Sequence, residues 1–167
     1  MRTSPFLVHV GRILRTREPG KAHAVAPLDD LFVSGSEVPA GSDVSVEVAL
    51  EPVGRSIEAA GTVSAPWTGA CRRCLRQTAG VLVASVREVF EPDPVEGESY
   101  PLAHDQIDLE PLAREAVMLE LPPAPLCDEG CRGLCAHCGI DLNEEACGCE
   151  APADPRWAAL DQLRTEN

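Results

Sequence analysis

Val44, Val46, Val48 and Leu50 alternate with Ser45, Glu47 and Ala49, a period of two that predicts a half-buried β-strand. Ile57, Ala59, Gly61 and Val63 repeat the alternation after the turn-like stretch Glu51-Pro52-Val53-Gly54. Valine-rich residues 79–90 predict a further strand, paired with 56–65, and Phe6–Val10 predicts a first strand near the N-terminus. These short, evenly spaced strands point to an antiparallel sheet or small barrel rather than to βαβ units. The acidic, proline-rich stretch Glu91-Pro92-Asp93-Pro94-Val95-Glu96-Gly97-Glu98 is where pairing must stop. Beyond it the period changes. Asp108 reads as a helix N-cap, with Glu110 and Pro111 in the first turn. Leu112, Ala113, Ala116, Val117 and Met118 follow at helical spacing, and Leu121-Pro122-Pro123 ends the run. A last short helix is predicted from Asp154, with Pro155 at its first position and Trp157, Leu160 and Leu163 on one face. The fold class is α+β: a β domain over 1–100, then one or two packed helices and a cysteine-rich segment over 101–167.

Composition adds three constraints. The chain has 167 residues, 44% of them hydrophobic but only 4% aromatic, so the core must be built mainly from Val, Leu, Ala and Ile. Apolar runs fall well short of the roughly 20 residues that span a bilayer, and the N-terminus has no secretory h-region, so a soluble cytoplasmic protein is expected. The formal net charge of −13 is unevenly spread: up to Arg87 there are ten Lys/Arg against eight Asp/Glu, and after it four against nineteen. The second half would be repelled by a phosphate backbone. Any RNA contact is therefore expected from the first half, with Arg12, Arg15, Arg17, Arg72, Arg73 and Arg76 as candidates. The plainer reading of these charges is two solvated faces.

Eight cysteines carry the strongest signal. They fall as Cys71-x2-Cys74, Cys127-x3-Cys131-x3-Cys135-x2-Cys138 and Cys147-x-Cys149. In a secreted protein this would read as a disulfide framework; without an export signal, the clustering favours metal. Zinc takes four thiolates in a tetrahedron, and a Cys-x2-Cys turn offers two sulfurs to one ion. The expected partition is a local site from Cys135, Cys138, Cys147 and Cys149 and a long-range site from Cys71, Cys74, Cys127 and Cys131. Gly139 and Gly148 are expected to allow the tight backbone of the local site. Iron accepts the same thiolate set, and Cys71 and Cys74 as plain reduced thiols is the bland alternative. His137, inside the Cys135–Cys138 turn, is expected at the surface rather than as a ligand.

Enzyme signatures are missing. No histidine has the His-x-Glu pattern of a zinc deaminase, and there is no His-Glu-x-x-His, phosphate-binding glycine loop or Gly-x-Ser-x-Gly elbow. Arginines beside Cys71 and Cys74 would lower a thiol pKa as in redox motifs, but a helix should follow such a motif and here a strand pattern does. Sites filled by four thiolates are closed and structural.

Several stretches together resemble the YceD-type large-subunit ribosomal RNA accumulation proteins, in a high-GC Gram-positive-like form. They are Cys71-Arg72-Arg73-Cys74-Leu75, Ile107-Asp108-Leu109-Glu110-Pro111-Leu112 and Leu119-Glu120-Leu121-Pro122-Pro123-Ala124-Pro125-Leu126-Cys127. Cys131-Arg132-Gly133-Leu134-Cys135-Ala136-His137-Cys138-Gly139, Asp141-Leu142-Asn143 and Asp154-Pro155-Arg156-Trp157-Ala158-Ala159-Leu160 complete the set. The resemblance covers most of 70–165; the N-terminal third matches in pattern only. It implies a non-catalytic protein needed for large-subunit (23S) ribosomal RNA to accumulate during ribosome assembly, with no catalytic residues to carry over. It also implies a basic large-subunit ribosomal protein, the ribosomal RNA precursor, or both as partners. The family's cysteine pair maps onto Cys71 and Cys74, whereas the C-terminal cysteines rest on their spacing. The rival readings are a zinc-dependent interaction adaptor without a ribosomal role and a thiol oxidoreductase using Cys71 and Cys74.

Overall fold

A computed structural model describes residues 4–149. One mixed sheet, nearly closed into a barrel, carries the fold. Its hydrogen-bonded order is β1 (Leu7–His9), β8 (Gln106–Asp108), β7 (Tyr100–Ala103), β6 (Gln77–Glu91), β5 (Ser56–Ala70), β4 (Asp43–Val53) and β2 (Gly20–Pro27). A two-residue strand, β3 (Ser36–Glu37), pairs with the far end of β5. All pairings are antiparallel except β6 with β7, which is parallel over two residue pairs after the 92–99 connection. That parallel step is where the sheet departs from the all-antiparallel expectation.

The alternation in β4 is realised: Val44, Val46, Val48 and Leu50 are buried. So is the pairing of β5 with β6, which runs from Ile57 opposite Phe90 to Ala70 opposite Gln77. Both strands are 15 residues long: β5 starts as expected and continues five residues past 65, and β6 exceeds 79–90 by two residues at its start and one at its end. Pro66 looks like a strand breaker, yet it falls between Ser64, the last partner of β4, and Thr68, the first partner of β3. No neighbour on that side needs its missing N–H. The turn expected at Glu51–Gly54 lies later: Pro52 belongs to β4, and the chain reverses at Gly54-Arg55 between the paired Val53 and Ser56.

Strand β2 is not predicted from the sequence, because its inward positions Ala22, Ala24 and Ala26 make a weak hydrophobic signal. The β7–β8 hairpin turns on His104 and Asp105, both with positive φ, as a two-residue turn of this hand requires. A one-and-a-half-turn helix, α1 (Gly11–Thr16), links β1 to β2.

Helix α2 (Glu110–Glu120) buries Leu112, Ala113, Ala116 and Val117 against β5 and β6. Two details differ from expectation. The N-cap position is Leu109, although the Glu110 N–H does donate to Asp108 Oδ1 at 3.0 Å. Met118 faces solvent rather than the core. The helix expected from Asp154 lies outside the described residues. Phe6, Val10, Leu50, Ile57, Phe90, Leu109 and Leu121 centre the main core, which ends with the helix, and a second, smaller cluster gathers Cys71, Cys74 and Cys131 with Leu126 and Leu134.

Gly61 sits at a close approach of β4 and β5: a Cβ there would lie 2.0 Å from the Glu47 carbonyl oxygen and 2.8 Å from Val48 Cα. Both obstacles are backbone, so neither can swing aside. Gly61→Ala is expected to lower unfolding free energy by about 1–3 kcal/mol. Urea denaturation reads this directly, and an unchanged midpoint would contradict the close approach.

Candidate metal centre

The tip of the β5–β6 hairpin is a thiolate knuckle. Cys71 N–H donates to the Arg76 carbonyl at 2.8 Å and Leu75 N–H to the Cys71 carbonyl at 2.9 Å. This tight path forces Leu75 to a φ of 60°. It aims both sulfurs to the same side, with Cys71 and Cys74 buried. A strap running back from α2 supplies the other half. Ser36 Oγ donates to the Pro122 carbonyl at 2.8 Å, and Arg72 N–H to the Pro125 carbonyl at 2.9 Å. Proline limits the conformations of 122–125, and glycine opposite lets it lie flat: a Cβ on Gly35 would meet the Pro123 carbonyl oxygen at 2.4 Å. The strap delivers Cys127 and then Cys131 to the knuckle.

All four sulfurs lie within 4.8 Å of one another. Cys74 and Cys127 are 3.5 Å apart and Cys71 and Cys131 are 3.8 Å apart. Sulfurs about 2.3 Å from a shared ion in a tetrahedron are about 3.8 Å from each other. A disulfide would need about 2.05 Å. The cluster therefore has the dimensions of a four-thiolate metal site.

A second cluster follows within a few residues. Leu142 N–H donates to the Gly133 carbonyl and Cys135 N–H to the Ile140 carbonyl, both at 2.9 Å, forming a small hairpin around Cys135–Cys138. Gly139 closes that knuckle at φ 76°, donating to the Cys135 carbonyl, as its glycine suggests. Gly148 has no such demand: it lies outside the positive-φ region, and an added Cβ would touch nothing. Cys135, Cys138, Cys147 and Cys149 again bring their sulfurs within 4.8 Å. His137 is exposed and adds only its backbone N–H, 3.4 Å from Cys135 Sγ.

The electrostatics of the two clusters match. In each, the leading cysteine is held ready as a thiolate. The Cys127 backbone N–H, then that of Cys74, lowers Cys71 to about 6. The Cys138 N–H, then that of His137, lowers Cys135 to about 6. The late-arriving cysteine meets those charges and keeps its proton: the Cys74 side chain, then burial, pushes Cys127 up to about 12. The Cys138 side chain, then burial, does the same to Cys149. Four thiolates cannot coexist without a cation, so these donor sets suit a thiophilic metal that displaces the remaining protons.

Sequence reasoning overlooked the residues joining the clusters. Asn143 accepts from the Arg132 N–H at 2.7 Å and places its Nδ2 3.5 Å from Cys131 Sγ, so the second hairpin hydrogen-bonds a sulfur of the first cluster. Asp141 Oδ1 in turn accepts from the Asn143 backbone and side chain. Those Asn143 hydrogen bonds, with Arg76 nearby, hold the Asp141 carboxyl below its usual range. The visible hint was Asp141-x-Asn143, a pattern that caps its own turn.

The six arginines separate into three situations. Arg73 donates to the Glu129 and Cys131 carbonyls at 3.1 and 2.8 Å, and Arg76 to Asp141 and Glu144 at 3.1 and 3.0 Å. Both thus bind the hairpin tip to the cysteine segment. Arg72 is exposed beside them. Arg12 and Arg15 on α1 lie 3.6 Å from Glu18 and 3.7 Å from Asp105, and Arg17 donates to the Gly54 carbonyl. The structure does not bring the α1 arginines together with those of the hairpin tip.

A family model described as "Large ribosomal RNA subunit accumulation protein YceD" matches residues 59–164, a stretch holding all eight cysteines. The chain belongs to the YceD family. An uncharacterized protein of Mycobacterium tuberculosis is 34% identical to it, over 96% of this chain and 82% of its own length. One from Mycobacterium leprae is also 34% identical, over 74% of this chain and 60% of its own. The chloroplastic YCED homolog 1 of Arabidopsis thaliana, named as a large ribosomal RNA subunit accumulation protein, is 26% identical over 78% of this chain and 51% of its own. No solved structure matches the chain.

Proton competition gives a test of the clusters. Zinc affinity, measured against a chromophoric chelator, should be high near neutral pH and fall steeply as pH drops through about 6. Below that point even Cys71 and Cys135 regain protons, and the metal must displace all four at each cluster. An affinity that does not change between about pH 8 and about pH 5 would contradict thiolate ligation.

Proposed function

We propose that the chain acts without catalysis in the accumulation of large-subunit ribosomal RNA, as an assembly factor whose acidic half holds a basic ribosomal protein. The observation that carries this reading is the family match over 59–164, which spans both cysteine clusters and most of the acidic half. Cys71, Cys74, Cys127 and Cys131 hold one structural zinc ion and Cys135, Cys138, Cys147 and Cys149 a second. Each four-thiolate zinc site carries a formal charge of about −2, which deepens the negative character of this half. Complementary charge would speed encounter with a basic protein and discourage direct contact with phosphate. RNA contact, where it occurs, falls to the exposed arginines of α1 and Arg72. The working division is a β domain over 1–100, whose sheet and core also take in β7, β8 and α2, and a cysteine-rich, metal-bound segment after the helix, and the working location is the cytoplasm. The described residues contain no helix long and apolar enough to cross a membrane.

Depletion of the protein followed by a sucrose-gradient ribosome profile tests the reading. Large-subunit RNA should fall relative to small-subunit RNA, with precursor particles on the light side of the large-subunit peak. An unchanged profile under full depletion would overturn the ribosomal role and favour an adaptor.

A further inference from the structure

Between β6 and α2 a groove of about 240 Å³ opens at the surface. Alternation along β6 turns Val86 and Glu88 toward the helix, and the helix answers with Leu112, Glu115, Leu119 and Glu120. The spacing of 112, 115, 119 and 120 puts these four on one helix face. This face is unusual in two ways. Leu119 is 79% exposed, the most exposed large hydrophobic residue among those described. Glu88, Glu115 and Glu120, moreover, have no cationic side chain in ion-pair reach among the described residues. The nearest arginines on these elements are committed elsewhere: Arg87 to Glu58 at 2.9 Å and Arg114 to Glu110 at 3.0 Å.

Glu115 is fixed in place by the Tyr100 hydroxyl, which donates to its Oε2 at 2.5 Å. Glu88 is half-buried, and burial together with the Glu115 charge raises its pKa. A group held this way gains from a neighbouring cation more than an exposed carboxylate would. The volume is below the roughly 300–1,000 Å³ of small-molecule pockets, so the groove suits one long side chain at a time. Apolar walls with a carboxylate rim match a side chain with an aliphatic stem and a charged head.

We infer that the β6–α2 groove is the docking site for a lysine- or arginine-bearing segment of a basic protein, its aliphatic stem against Val86 and Leu119 and its charge on Glu88 and Glu115. The inference rests on the proposed function in one respect, that the partner is a basic protein. RNA does not fit here, because unpaired carboxylates repel phosphate.

The test uses the full zinc-loaded chain and a short fluorescent peptide alternating leucine with lysine, followed by anisotropy. Glu88→Gln with Glu115→Gln should weaken peptide binding about tenfold. Leu119→Lys, at an exposed position where folding is not at risk, should weaken it similarly by placing a cation over the groove. Glu96→Gln with Glu98→Gln removes the same charge from the β6–β7 connection and should change binding less than about twofold. Equal weakening by all three variants would reduce the effect to net charge and overturn the groove. Undiminished binding by the groove variants, or binding of an RNA oligonucleotide that these variants abolish, would overturn it as well. No ribosome enters this assay, so its failure removes the groove while the gradient profile still decides the ribosomal role.

Discussion

Four sulfurs from two distant parts of the chain meet at the tip of the β5–β6 hairpin, and the placement of the described residues after α2 depends on that meeting. Cys74 and Cys127 are 53 residues apart in sequence and 3.5 Å apart in space. Closing a loop of that length costs about 3–4 kcal/mol of chain entropy. The strap bonds at Ser36 and Arg72 offset part of this, but hydrogen bonds exchanged with water contribute only about 0.5–1.5 kcal/mol each. Without metal, Cys74 and Cys127 are pushed above the ordinary thiol range and keep their protons, so these neutral sulfurs add little of their own toward closing the loop. A cation held by all four sulfurs would displace those protons and supply the attachment of the acidic segment to the sheet.

The second cluster builds on the first. Asn143 reaches from the Cys135–Cys138 hairpin to Cys131 Sγ, Arg76 holds the same hairpin through Asp141, and the Arg73 side chain holds the Glu129 and Cys131 carbonyls just before it. These arginines look like phosphate contacts in the sequence, because a run of basic residues beside cysteines carries no mark of where its side chains turn. In the folded chain, Arg73 satisfies carbonyls and Arg76 pairs with Asp141 and Glu144. The basic character of the tip is thereby largely spent on the acidic segment it holds, which leaves the surface of that half strongly negative.

Legibility followed signal strength. The valine alternation of β4, the valine run of β6 and the α2 periodicity were plain in the sequence. In β4 and α2, large apolar residues at a fixed period bury one face because the backbone takes the matching secondary structure; β6 is legible from its β-branched content instead, since its Val81 and Val83 lie on the exposed face. The alanine-lined β2 and the His104-Asp105 turn were not plain, since alanine marks no environment and the turn lacks the glycine that usually signals a two-residue hairpin. The α2 cap was displaced by one residue, from Asp108 to Leu109. At the site, Cys-x2-Cys spacing pointed to two groups of four, and the structure brings those same groups together. In the sequence, the strap at 122–125 reads only as a helix stop. Its function as a delivery arm depends on Ser34-Gly35-Ser36, nearly ninety residues upstream, a juxtaposition that local pattern cannot express.

X-ray absorption at the zinc edge of the purified full chain, with metal content measured on the same sample, tests the central claim most directly. Two zinc ions per chain, each surrounded by four sulfurs at about 2.3 Å, is the predicted result. A first shell containing nitrogen or oxygen, a single ion, or iron in place of zinc would contradict it.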